Sequence, residues 1–167
     1  MDLIKNIPTD KLVYCDEMGV SNNICTLYGW SETGQRSYGE QIGFATERVS
    51  IVGGYIPGTK EFIAPLEYSG NMDKKGFTEW ISEHLCPSLN KGCYIIMDNA
   101  SIHKDIKIKN AIEKAGCTLL YLPTYSPDLN PIEHCWANFK NYLRKIIKKF
   151  DNFKEAITVA FSKTFPC

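Results

Sequence analysis

The sequence predicts an α/β fold, a mixed sheet with helices packed on it. Three observations point there. The first half of the chain is rich in short segments of β character. The run CYIIMD at 93–98 is apolar almost throughout, the pattern of a central strand covered on both faces. From that run onward, strand patterns and helical patterns alternate. The 167 residues are read as one domain, residues 1–167, long enough to fold without a disulfide or metal staple.

The strands come in order. KLVYCD at 11–16 is apolar and β-rich, and so are ICTLYGW at 24–30 and RVSIVGGYI at 48–56, the last broken by Gly53-Gly54. EFIAPLEY at 61–68 is a fourth, which Pro65 confines to an edge or a bulge. The central strand 93–98 and TLLYL at 118–122 complete the set. Residues 73–85 carry Phe77, Trp80, Ile81 and Leu85 at helical spacing. A short helix over 106–115 closes on Gly116. The third helix has Asn130 as N-cap, Pro131 at N1 and Glu133 at N3. Its apolar stripe, Ile132, Trp136, Phe139, Leu143, Ile146 and Ile147, runs to about residue 150. A last helix covers about 153–163.

Composition narrows the function classes. With 44% hydrophobic and 23% charged residues the chain is not disordered. No apolar run approaches the ~18 residues of a membrane span, and no basic-then-apolar leader is visible. Lys+Arg and Asp+Glu are both 19, but unevenly placed. Residues 1–99 hold 8 basic and 13 acidic side chains, and residues 100–167 hold 11 and 6, so an anion-binding surface belongs in the C-terminal third. The seven cysteines are odd in number and lack close pairs, which reads as buried thiols in a reducing compartment.

Three acids occupy unusual positions. Asp16 and Asp98 each end an apolar strand, and Glu133 lies in the first turn of the long helix. Ligands bind at strand ends in such sheets. Like charges ~4 Å apart repel by about 4 kcal/mol at an effective dielectric near 20, so three clustered carboxylates call for a cation. Oxygen-only ligands suit Mg²⁺ or Mn²⁺, and these ions complete their shells with phosphate. Two such ions serve an in-line displacement. Each acid also has an ordinary alternative: the aspartates as turn caps, Glu133 as half of a capping box with Asn130.

The words around these acids decide between the alternatives. VYCDEMG at 13–19, IIMDNASIH at 95–103 and YLPTYSPDLNPIEHCW at 121–136 resemble the DDE transposases of the Tc/mariner superfamily, most closely the bacterial insertion-sequence branch. The 34 residues between Asp98 and Glu133 match the superfamily's interval, and the resemblance spans about residues 10–150. It implies a ribonuclease-H-like fold with a five-stranded mixed sheet flanked by helices. It places the catalytic and metal-holding roles on Asp16, Asp98 and Glu133. The implied reaction is metal-dependent hydrolysis at transposon ends, then attack of the freed 3′-OH on target DNA, with Mg²⁺ as cofactor, Mn²⁺ as substitute and two ions in the site. It further implies DNA as partner, a homodimer and a cytoplasmic, nucleoid-associated bacterial protein with no membrane attachment. Superfamily members carry helix-turn-helix modules ahead of this domain. None is visible here, which leaves three alternatives for end recognition: a separate DNA-binding polypeptide supplies it, the chain is a fragment, or the reading frame is a decayed remnant. An inactive remnant that only binds DNA or protein is the alternative function, and a nuclease acting on RNA–DNA hybrids is a third.

Further residues follow from placement. Lys140, Arg144 and Lys148 lie 7, 11 and 15 residues past Glu133 and are expected on roughly its face, as phosphate contacts or as a solvated basic face. His103 is expected to orient Asp98, touch DNA or serve the fold, and Asn99 to orient Asp98 through its amide. Pro123, Pro127 and Pro131 are expected to fix the start of the Glu133 helix. Alternation points Glu17 away from Asp16. His84 and His134 are expected at the surface, and Trp30, Trp80 and Trp136 in the core.

Overall fold

The computed structural model describes residues 2–25, 30–36, 38, 43–124 and 126–165. Five strands form one sheet: β1 Leu12–Ser21, β2 Arg48–Ile56, β3 Glu61–Ser69, β4 Tyr94–Met97 and β5 Thr118–Tyr121. Their order is β3-β2-β1-β4-β5. The β1–β2 and β2–β3 pairs are antiparallel, and the β1–β4 and β4–β5 pairs are parallel, so the sheet is mixed. The helices are α1 Asp2–Lys5, α2 Lys74–Trp80, α3 Ile106–Lys114, α4 Ile132–Ile146 and α5 Phe153–Thr164.

Alternation along the strands builds two cores. Leu12, Tyr14, Met18 and Val20 of β1 face α4 and α5, where Trp136, Phe139, Leu143, Ala156 and Ile157 meet them. Val13 and Cys15 face the other way, toward Phe77, Trp80, Ile108 and Ile112 of α2 and α3. Ile95 and Met97 of β4 lie in the second core and Ile96 in the first, so β4 is covered on both sides as its apolar run requires. The α4 stripe is buried at Ile132, Trp136, Phe139, Leu143 and Ile146.

Several boundaries differ from the sequence reading. β1 does not stop at Asp16, because β2 keeps pairing with it from Asp16↔Gly53 to Ser21↔Arg48. The strand expected over 24–30 falls largely on residues 26–29, which lie outside the described residues. Its flanking residues Ile24, Cys25 and Trp30 are not in a strand, and Trp30 is fully exposed instead of in the core. The helix expected over 73–85 starts at Lys74, with Asp73 as its N-cap, and widens into a π turn at Ile81–Leu85. α4 gives way to a 3₁₀ turn at Ile147–Lys149. Edge strand β3 carries Pro65, as a proline in a strand demands.

β2 continues through Gly53-Gly54 with a bulge there. A Cβ on Gly53 would stand 2.3 Å from the Phe62 ring, so the glycine lets that ring lie on the sheet. The six described cysteines are free thiols; Cys15, Cys93 and Cys117 are buried, whereas Cys25, Cys86 and Cys135 are only half-buried. No helix among the described residues is long and apolar enough to cross a membrane.

Candidate active site

Sheet register brings the two aspartates together. β4 pairs in parallel with β1 at Leu12↔Tyr94, Val13↔Ile95 and Tyr14↔Ile96. Continuing that offset two residues past the last pair sets Asp98 level with Asp16. There the β1–β4 ladder ends and the backbone opens. α4 crosses the same end of the sheet, and its first turn carries Glu133. A cleft of about 330 Å³ results, lined by Asp16, Asp98 and Glu133 together with Asn99, Leu122, Pro123, Ser126 and Asn130.

Each carboxylate is held differently. Asp16 is half-buried; its Oδ1 accepts the Glu17 N–H (2.8 Å) and its Oδ2 accepts the Trp136 indole N–H (3.2 Å). Both donors are neutral. Burial first, and the Glu133 carboxylate second, push the Asp16 carboxyl up to about 7, with Asp98 adding to the effect. Asp98 is more open, its side chain 55% exposed. Its Oδ1 accepts from His103 Nδ1 (2.6 Å) and from the Ala100 N–H (2.9 Å). The His103 hydrogen bond holds the Asp98 carboxyl below the usual carboxylate range. Two acids in one cleft thus differ in acidity, Asp16 raised mainly by its burial and Asp98 lowered mainly by His103.

His103 is 1% exposed. Burial pushes its imidazole down, but hydrogen bonds to Asp98 and Glu17 outweigh this and bring it up to about 9. It sits buried under Asp98. Glu17 lies on the opposite side of β1 from Asp16, as alternation requires, and that side holds His103, whose Nε2 is 3.3 Å from Glu17 Oε2. Asn99 does not reach Asp98. Its amide donates to the Leu122 carbonyl and ties the end of β4 to the end of β5. The capping box expected at Asn130 is absent too. The Asn130 side chain lies buried beside the cleft with Oδ1 unpartnered, and backbone carbonyls of Asn130 and Pro131 accept the Glu133 and His134 N–H groups instead.

The basic residues separate into two groups. Lys140 and Arg144 line a groove with Gly19, Val20 and Ser21 of β1. At 1.5 Å per residue they lie about 10 and 16 Å along α4 from Glu133, roughly three and five nucleotides of one DNA strand. Lys148 falls in the 3₁₀ turn beyond α4 and lines a different hollow, so it does not share the Glu133 face. His84 and His134 are exposed, and Trp80 and Trp136 are buried.

Sequence reasoning missed three supporting groups. Glu17 was placed correctly by alternation, but no local signal tells what occupies that side. Trp136 reads as core and is core, yet its indole N–H serves Asp16; its spacing three residues after Glu133, on one side of a helix, was the available signal. Phe62 packs edge-on against Trp136 with centroids 5.0 Å apart, seated over Gly53, the residue paired with Asp16.

The donor set suits a hard divalent cation. All three charged groups are carboxylates, no described lining residue is cationic, and burial together with the Glu133 charge raises the Asp16 carboxyl to about 7. Among the described residues, no three His, Cys, Asp or Glu side chains are grouped closely enough to enclose an ion in this arrangement.

The DDE superfamily endonuclease family matches residues 11–157. The Tcb1 transposable-element transposase of Caenorhabditis briggsae is 29% identical over 101 residues, 58% of this chain and 37% of that protein. An uncharacterized protein of Sinorhizobium fredii, y4pE/y4sA, is 33% identical over 93 residues, 52% of this chain and 67% of its own length. In structure, a Mos1 transposase paired-end complex with the left transposon end superposes with TM-score 0.69 at 14% identity, over 93% of this chain and 48% of that one. The catalytic core domain of BIV integrase gives 0.56 at 12% identity, over 92% and 82%. This chain therefore spans about half of the Mos1 chain and about a third of the Tcb1 transposase. The fold is ribonuclease-H-like, that of transposase and integrase catalytic domains. The family match runs through all five strands and the helices that carry the cleft, and the chain belongs to the DDE superfamily endonucleases.

Proposed function

We propose that this chain is a transposase catalytic domain, which cleaves DNA strands at transposon ends and joins the freed 3′-OH to target DNA. The observation that carries the reading is the single cleft lined by Asp16, Asp98 and Glu133. These three residues would hold Mg²⁺, or Mn²⁺ in its place, as a pair of ions. A Mos1 mariner paired-end complex with Mn is among the similar folds, with TM-score 0.60 at 14% identity. When bound, the ions supply Lewis acidity to the attacking and leaving oxygens.

The chain's own residues prepare the site. Trp136 and the Glu17 N–H orient the two oxygens of Asp16, while His103 and the Ala100 N–H hold one oxygen of Asp98. Asn99 fixes the strand ends from which Asp98 projects. Glu133, exposed at the start of α4, is the carboxylate freest to adjust. Lys140 and Arg144 neutralise phosphates a few nucleotides away. The reading includes a second copy of the chain to pair two ends.

The test is nicking of supercoiled plasmid by purified protein with Mn²⁺ or Mg²⁺, beside Asp98→Ala. Divalent-dependent nicks that vanish in the variant are expected. Salt-sensitive DNA binding without products under any divalent ion would favour the inactive, binding-only alternative, and nicking that persists in Asp98→Ala would remove Asp98 from the chemistry.

A further inference from the structure

We propose that Glu17 is a positioning residue for Asp98, acting through His103. The inference rests on the reading of Asp98 as a metal-holding carboxylate. It starts from the geometry of an imidazole. Three contacts fix the His103 backbone and the plane of its ring: the Tyr121 hydroxyl donates to the His103 carbonyl (2.8 Å), the His103 N–H donates to the Ala100 carbonyl (3.1 Å), and the Phe77 ring packs on it at 4.3 Å. None of them decides which ring edge faces Asp98; on that edge Nδ1 meets only Asp98 itself, its Oδ1 and, at 3.3 Å, its carbonyl. A ring turned over about its Cβ–Cγ bond keeps its plane but no longer presents Nδ1 to Oδ1.

Glu17 supplies the constraint on the opposite edge of the ring. Its Oε2 stands 3.3 Å from Nε2, at the ring position remote from Asp98. Its other oxygen, Oε1, is buried and has no hydrogen-bond partner, so no competing donor draws the carboxylate away. With Nε2 held, Nδ1 stays on Asp98 Oδ1 at 2.6 Å. The Ala100 N–H is on that same oxygen. Among the described residues no donor reaches Oδ2, which is left to the cleft. The chain Glu17–His103–Asp98 thus presents one chosen carboxylate oxygen from the far side of the sheet. An apolar side chain at 17 would fill the space equally well and avoid burying a half-partnered carboxylate, so packing alone does not explain the residue.

The experiment measures Mn²⁺ binding to the DNA-free chain by electron paramagnetic resonance, reading the free-ion signal, alongside thermal unfolding. Outer partners of metal ligands typically change affinity by about 10–100-fold. Glu17→Leu, which removes the acceptor, is expected to weaken Mn²⁺ binding about tenfold or more in a fold of undiminished thermal stability. Glu17→Gln, which keeps an acceptor, is expected to restore affinity to within about threefold of wild type. Glu17→Leu combined with His103→Leu is expected to bind no more weakly than His103→Leu alone, because the effect passes through the ring. Should Glu17→Leu not fold, Glu17→Met replaces it in each comparison. Wild-type affinity in the Glu17 variant, no recovery in Glu17→Gln, or additive losses in the double variant would overturn the proposal. Asp98→Asn separates the two levels. Loss of binding there with none at Glu17 sinks this inference only, whereas a wild-type chain that binds no Mn²⁺ sinks the site reading with it.

Discussion

Asp16→Asn should make the metal-free protein more stable at pH 8 and not at pH 4. Lifting the Asp16 carboxyl from its ordinary 3.8 to about 7 corresponds to about 4 kcal/mol against its charged form. The folded chain therefore holds this proton more tightly than the unfolded chain does. Stability from the protonated group is present at low pH and is lost as pH rises from about 4 through about 7. Asparagine carries no such penalty, but it has one acceptor oxygen where Asp16 offers two, to the Glu17 N–H and the Trp136 indole. Leaving one donor unmatched costs about 1 kcal/mol at any pH. The variant should gain about 3 kcal/mol at pH 8 and stand level with wild type or slightly below it at pH 4. Urea unfolding with chelator present, at both pH values, measures the difference, and comparing the two proteins cancels His103 and Asp98, which titrate in both. A stability difference constant within about 1 kcal/mol from pH 4 to pH 8 would refute the raised Asp16 carboxyl, and with it the burial and the Glu133 repulsion that account for it.

Gly53→Ala should cost about 1–3 kcal/mol, because the new methyl meets the Phe62 ring at 2.3 Å and that ring is confined by Trp136, Phe161 and Phe165. Thermal unfolding and a shift of the tryptophan emission read it, and an unchanged protein would show that the aromatic cluster yields freely. Lys140→Ala and Arg144→Ala should each weaken DNA binding across unrelated sequences and reduce the slope of log K against log salt by about 0.9; Lys148→Ala, off that face, should do less. Fluorescence anisotropy over a salt series distinguishes these, and equal effects from all three would return Lys148 to the α4 face.

The parts of the site that the sequence makes legible are those set by local pattern. Period-two alternation places Asp16 on one side of β1 and Glu17 on the other, and the apolar run 93–98 marks β4 as central. Helical spacing puts Ile132, Trp136, Phe139 and Leu143 inside and leaves Glu133 and Lys140 outward of that stripe. What stayed hidden depends on neighbours remote in the chain. The length of β1 is set by β2, more than 25 residues on, so a strand expected to end at Asp16 continues to Ser21. Asn130 has the composition of a cap, yet burial beside the cleft takes its side chain from the helix N–H groups. The Asn99 amide finds a carbonyl on β5 rather than the carboxylate beside it, because parallel pairing brings Leu122 nearer than adjacency suggests.

The same distinction separates the two aspartates chemically. Both follow an apolar β1 or β4 segment, and by local sequence they are equivalent. Their acidities diverge because Asp16 is the more deeply buried and His103 is within reach only of Asp98. Asp98 meets a protonated imidazole and stays ionised, ready to accept a cation in any state of the site. Asp16 is buried beside the Glu133 charge, has only neutral donors, and holds a proton near neutrality until positive charge arrives. A divalent ion entering this cleft would therefore find one carboxylate already charged and displace a proton from the other. Metal binding by this chain should thus release close to one proton near pH 6, and fewer as pH rises past about 7, where Asp16 has already ionised.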